Sequence, residues 1–173
     1  MVAEALGTFA LVFVGAAVVV VNGGFPNSGI GLLGIALAHA VVLAVMVTAT
    51  MTISGGHLNP AVTIGLLATR RIDPLSAGAY IVAQLAAACA GAALVKALLP
   101  AAAVRAALLG TPVIASSVTL GQAIGIELVL TFFLMSAVSV RRCRRMLRGL
   151  RDLASGWCCC SIFWWAVHSL VRQ

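Results

Sequence analysis

The chain has 173 residues, 62% of them hydrophobic and 9% charged, with eleven Lys/Arg against four Asp/Glu and a net charge of +7. A composition this apolar excludes an ordinary soluble domain. The four acids, Glu4, Asp73, Glu127 and Asp152, are scattered, and with no Ser/His/Asp order and no phosphate-cradling glycine loop the chain is read as not an enzyme, with no cofactor and no metal site.

Four apolar stretches, residues 2–22, 32–53, 76–100 and 119–140, each approach or exceed the ~20 residues that cross a hydrocarbon core of ~30 Å. The first lacks a basic n-region and contains Glu4, which argues against a signal peptide. Arg70 and Arg71 follow the second stretch, and Arg141, Arg142, Arg144, Arg145, Arg148 and Arg151 follow the fourth. The positive-inside rule puts both clusters, and the N-terminus, on the cytoplasmic side of a multi-pass protein of the plasma or inner membrane. The arginines are juxtamembrane and not interleaved with aromatics, so the charge reads as topology and no nucleic-acid partner is expected.

The apolar pattern is broken by Ser54-Gly55-Gly56-His57-Leu58-Asn59-Pro60-Ala61-Val62-Thr63. Irregular backbone at membrane depth is tolerated where it is buried in protein or lines a wet cavity. Asn before Pro leaves the helical region, and Pro fits the first helical position, so Asn59 reads as an N-cap. Pro60 to about Thr69 has length for two or three turns, a half-helix whose N-terminus aims partial positive charge and free N–H groups at the cavity. Asp73-Pro74 reads as a turn and helix start. Glu4, Thr8, Phe9 and Leu11 recur as Glu127, Thr131, Phe132 and Leu134 at identical spacing, as an inverted repeat requires; the bland alternative is chance similarity between apolar helices. An acid inside a span usually faces the protein interior, and each Glu is expected to accept hydrogen bonds from re-entrant backbone.

Taken together, the run from Ser54 to Thr63, the opening Glu4, Thr8 and Phe9, the Tyr80, Ala83 and Gln84 set and the Glu127, Thr131 and Phe132 segment resemble the aquaporin family, the major intrinsic proteins, over roughly residues 2–140. The resemblance implies an all-α right-handed bundle of six spans plus two half-helices, each starting Asn-Pro-Ala, assembled as a homotetramer with one pore per subunit. It implies that Asn59, Pro60 and Ala61 form one such start, with the Asn59 amide donating to water. It implies backbone carbonyls from Gly55, Gly56 and His57 along the pore, and a loop braced by Glu4 and Gln84, with Glu127 as the repeat's counterpart. His39, twenty positions before Asn59, falls where the family places the first residue of its selectivity filter. A His there leaves room and polarity for ammonia, urea or glycerol beside water; the bland alternative is a satisfied core histidine. His57 has a similar alternative, as a residue that only holds the loop.

After Val140 the pattern departs from the family: the expected fifth span, second Asn-Pro-Ala and filter Arg are missing. The domain reading is a channel-like segment over 1–140 and an aberrant tail over 141–173, making the bundle incomplete with four spans and one half-helix. Read with codons shifted so that each starts on the third base of its predecessor, the Trp and Cys codons from Gly156 onward dictate Leu/Val/Met, Val, Leu and Leu. Family-like residues remain possible beyond them, which suggests a frameshift near residues 140–145. Cys158, Cys159 and Cys160 lack metal-ligand spacing. Trp157, Trp164 and Trp165 could sit at the membrane interface, and Cys89 reads as a small buried hydrophobe. The resulting expectation is a passive channel for water and small neutral solutes; the alternatives are a non-conducting membrane fragment or a secondary transporter built on inverted repeats.

Overall fold

The computed structural model describes residues 1–25, 27–114 and 116–144, with side chains to residue 136. The tail features named above, apart from the backbone of residues 141–144, lie outside the described residues. The described chain is helical without a strand: α1 (Val2–Gly24), α2 (Gly31–Thr50), α3 (Pro60–Ala68), α4 (Pro74–Leu98), α5 (Ala101–Ala106), a 3-10 turn (Leu108–Gly110) and α6 (Leu120–Arg144). It divides into two compact units, Met1–Thr111 and Pro112–Gln173.

In the first unit, α1 packs along α4 and α2, and α3 lies against α4. These contacts rest on small residues, as expected where lipid is as apolar as the side chains and close van der Waals approach drives association. At Gly91 of α4 a Cβ would stand 3.0 Å from the Phe9 carbonyl oxygen and 3.2 Å from the Phe13 amide nitrogen. Toward the far end of α1, Val20, Val95, Ala103 and Val104 form a buried cluster with Phe13 and Leu99 packed on it. The opposite faces carry Val41, Val45, Val82 and Leu85, all more than half exposed, a surface suited to hydrocarbon and not to water.

Helices α1, α2 and α4 are each long and apolar enough to cross a membrane. The fourth apolar stretch is helical as α6, 25 residues by its backbone, but its described apolar part, Leu120–Ser136, is shorter than the three spanning helices and is not counted with them. One expectation fails: Cys89 is exposed, on the outward side of α4. A cysteine in a spanning helix is as well accommodated by lipid as by a core, so its apolar character did not fix which way it faces.

Helix starts follow local chemistry. Asp73 caps α4, its side chain accepting from the Ser76 amide at 2.9 Å, with Pro74 at the first helical position. The Ser76 side chain, and after it the Ser76 amide, hold the exposed Asp73 carboxyl below its ordinary pKa. A carboxyl lowered on folding stabilises the helix start fully above the unfolded pKa of ~3.9, and that contribution fades as the pH falls through the lower folded-state value. Carbon chemical shifts of residues 75–78 should therefore stay flat from neutral pH down to about 4 and move toward coil below it. In Asp73→Ala the coil-ward shift should be present at every pH; a wild-type start already frayed at neutral pH would contradict the cap.

The second unit opens with a reciprocal capping box. The Gln122 side chain accepts from the Thr119 amide at 2.9 Å, while the Thr119 hydroxyl accepts from the Gln122 amide at 3.3 Å.

Candidate functional site: a re-entrant half-helix held by a buried carboxylate

Helix α3 has nine residues, a length of ~14 Å that is about half of what a span requires. Asn59 precedes it in extended conformation (φ −150°, ψ 131°) and its Oδ1 accepts from the Ala61 amide at 2.8 Å. A backbone N–H can only donate, so the oxygen faces the helix and the NH2 group faces away. No described residue accepts from that NH2. Around it the helix terminus adds the ~+0.5 charge of aligned peptide dipoles.

The chain reaches Asn59 through left-handed backbone at Gly55 (φ 96°), Gly56 (φ 62°) and Leu58 (φ 50°). Gly56 is buried, and a Cβ there would lie 3.3 Å from both the carbonyl oxygen and Cγ1 of Val47, so the position has little room for a side chain as well as an unfavourable φ. Among the described residues no donor reaches the carbonyl oxygens of Gly55 or Gly56, which leaves two acceptors a few residues before the Asn59 donor in the chain.

Glu4, fully buried, organises this turn. Its Oε1 accepts from the His57 amide at 3.0 Å and from the Ser54 hydroxyl; its Oε2 accepts from the Leu58 amide at 2.6 Å and from the Gln84 side-chain amide at 2.9 Å. Four donors on one carboxylate replace the hydration it loses on burial. One helical turn on, the Thr8 hydroxyl donates to the Leu58 carbonyl at 3.0 Å, so α1 grips Leu58 at both its amide and its carbonyl. Gly7 makes room for this, since a Cβ there would come within 2.3 Å of the Leu58 side chain.

Gln84, also fully buried, joins the carboxylate to α3: its amide lies 3.2 Å from the Thr63 hydroxyl, which in turn can donate to the Asn59 carbonyl at 3.2 Å. A Thr63 bond to the Gln84 oxygen at 3.4 Å would compete for the same hydroxyl proton and is the longer of the two. His57 is buried, with Nδ1 3.1 Å from the Thr63 hydroxyl and its ring edge-on to Tyr80 at 5.2 Å between centroids. The Tyr80 hydroxyl donates to the Ser54 carbonyl at 3.2 Å. The structure thus gathers Glu4, Gln84, Gly55, Gly56, His57, Asn59, Pro60 and Ala61 into one constellation. Sequence reasoning missed Ser54, Thr8, Thr63 and Gly7, whose one available signal was the recurrence of Thr8 as Thr131.

His39 stands on α2, partly buried, with Nδ1 2.9 Å from the Ile35 carbonyl oxygen. It packs against α1 at Gly15, away from the Glu4 carboxylate's four donors. Glu127 lies in the second unit, exposed on α6. There it lines an apolar cleft of about 760 Å³ together with Thr131, Phe132 and Met135. The described part of that unit contains no re-entrant segment, so the environment of Glu127 differs from that of its repeat partner Glu4.

Three apolar helices long enough to cross a membrane, with a short helix packed on one of them and started at a buried turn, define a multi-pass helical membrane protein. A model of the major intrinsic protein family matches residues 1–164, and the chain belongs to that family. Aquaporin TIP4-4 of Zea mays is 40% identical over 164 aligned residues, covering 90% of this chain and 63% of that protein. Glycerol uptake facilitator protein-like 6 of Lactiplantibacillus plantarum is 43% identical over 142 residues, covering 80% and 61%. Aquaporin Z of Rhodopseudomonas palustris is 48% identical over 92 residues, covering 53% and 38%. The chain therefore spans less than two thirds of the length of each of these relatives.

Proposed function

We propose that this chain builds the first half of a passive membrane channel for water and small neutral solutes, working in the plasma or inner membrane as part of a homotetramer with one pore per subunit. The observation that carries this reading is the Asn59 side chain: its oxygen is tied to the Ala61 amide at 2.8 Å, so it can offer a passing molecule only donors. A water at that point gives its lone pairs to Asn59 and turns its protons away, toward acceptors such as the Gly55 and Gly56 carbonyls. The positive end of α3 repels cations at the same place. His39 in the selectivity filter suits a passage that admits urea, ammonia or glycerol as well as water, and one relative carries a glycerol facilitator's name.

A secondary transporter is disfavoured by Glu4. Among the described residues it is the one acid within a spanning helix of the first unit, and its two oxygens already accept four hydrogen bonds. No other acid among the described residues of that unit's spanning helices is then left to couple an ion, and no reaction is assigned. Residues 141–173 are read as translated out of frame, with the second half of the pore encoded in the shifted frame. Sequencing the gene over codons 140–145 tests this, and a shifted frame without a second Asn-Pro-Ala would end it.

The role of Asn59 is tested by Asn59→Asp in the frame-restored protein. Aspartate keeps the cap on α3 but loses the donors and adds charge. Osmotic water permeability should fall about two- to tenfold, the equivalent of one lost hydrogen bond, with unchanged thermal stability. Equal permeability of the two proteins would remove Asn59 from the pathway.

A further inference from the structure

Glycines in the first unit meet two kinds of neighbour. Gly91 meets the backbone of α1, as expected of small residues at a helix crossing. Gly7 and Gly15, both on α1 and both buried, meet side chains instead: Leu58 of the re-entrant turn and the imidazole of His39. A glycine inside a helix costs about 1 kcal/mol relative to alanine, so its retention calls for a packing reason.

At Gly15 the reason is specific. A Cβ built there would lie 2.6 Å from His39 Nε2, 3.1 Å from Cδ2 and 3.4 Å from Cε1, so the ring edge occupies the space that every other residue would fill. The ring is held at its other nitrogen, because Nδ1 lies 2.9 Å from the Ile35 carbonyl oxygen, which can only accept; Nδ1 therefore carries the proton and Nε2 is the atom turned to α1. Any side chain at position 15 forces the ring off α1 by about 0.8 Å to reach ordinary contact, at the expense of the Ile35 bond.

We infer that Gly15 is a positioning residue for His39: it provides the recess on α1 into which the imidazole withdraws, and so sets how much of the passage the ring leaves open to solutes larger than water. The inference rests on the proposed filter role of His39 for its functional consequence and on the Gly15 to His39 contact alone for its structural one. No other position on α1 can do this by the same means, since the recess exists where Nε2 and the missing Cβ coincide.

The test is Gly15→Ala in this chain, compared with wild type and with the double variant Gly15→Ala/His39→Ala. Two readouts are taken on reconstituted vesicles. The first is the rate at which diethyl pyrocarbonate modifies His39, resolved from His57 and His168 by peptide mass spectrometry. The second, taken on the frame-restored protein with the same substitutions, is the ratio of glycerol to water permeability.

Gly15→Ala should speed modification of His39 several-fold, as Nε2 leaves its cover, without changing the rate at His57. Where the vesicles conduct, it should lower the glycerol-to-water ratio by about tenfold, the scale on which one methylene changes discrimination in a fitted site. The double variant should restore that ratio to wild type or above, which a mere folding defect would not do. An unchanged His39 rate overturns the inference whether or not the vesicles conduct. A changed rate with an unchanged ratio in conducting vesicles overturns the functional half. If vesicles of the frame-restored wild type pass neither water nor glycerol, the channel reading fails, and the modification rate in this chain by itself decides for or against the recess.

Discussion

Replacing Glu4 by alanine will release the re-entrant turn while leaving the spanning helices in place. The substitution strands the His57 and Leu58 amides, both in buried residues, whereas the Gln84 side-chain amide keeps the Thr63 hydroxyl at 3.2 Å and the Ser54 hydroxyl can fall back on the Thr50 carbonyl 3.4 Å away. Each buried donor left without a partner costs ~1–3 kcal/mol, so with two of them the turn should lose ~2–6 kcal/mol of local stability. At 1.4 kcal/mol per factor of ten, hydrogen-exchange protection of the two amides should drop by about one to four orders of magnitude. Amides in the middle of α4 should keep theirs. Glu4→Gln retains one acceptor but turns an NH2 toward the donors it faces, so an intermediate loss is expected. Unchanged protection at His57 and Leu58 in Glu4→Ala would show that the turn is held by something other than this carboxylate.

Gly91→Leu will separate α1 from α4. The atoms a side chain would meet are backbone, the Phe9 oxygen and the Phe13 nitrogen, and backbone cannot swing aside as a side-chain tip does. Overpacking of this kind costs about 1–3 kcal/mol and more when relaxation is blocked, so the upper end or beyond is expected. Gly78→Leu on the same helix is the matched control, because nothing lies within 4 Å of the position its Cβ would take. Denaturant titration in detergent should show a lowered midpoint for Gly91→Leu and none for Gly78→Leu; equal midpoints would contradict the close crossing.

What the sequence revealed follows the reach of each interaction. The caps at Asn59, Asp73 and Thr119 are made by side chains two or three residues from the amides they serve, so Asn-Pro and Asp-Pro were enough to locate two helix starts, while the capping pair at Thr119 was recognised only in the structure. The length of the half-helix followed in the same way from Asn59 forward. Spanning helices were legible because apolar runs of that length have few other uses.

The grip on the turn was harder to see. Thr8 meets Leu58 across 50 residues and Gln84 meets Glu4 across 80, and nothing local in either sequence marks the pairing. Leu58 is the clearest case. Leucine is not a turn residue, yet it adopts φ 50° because Glu4 takes its amide and Thr8 its carbonyl, a tertiary demand that overrides local preference. Gly15 was equally silent, since its meaning lies in the side chain of another helix. The repeat that pairs Glu4 with Glu127 marks the same residues in both halves, but their surroundings differ: one carboxylate is saturated by a loop and the other is exposed beside an apolar cleft.

The measurement closest to the central claim is stopped-flow light scattering of proteoliposomes under an osmotic step, run on this chain and on the version with the reading frame restored, each with and without Asn59→Asp. The account predicts that restored-frame vesicles shrink faster than protein-free ones, that Asn59→Asp removes most of the gain, and that this chain by itself gives none. Restored-frame vesicles that shrink no faster than bare lipid, or that are indifferent to residue 59, would contradict the claim that this half-helix orients water in a pore.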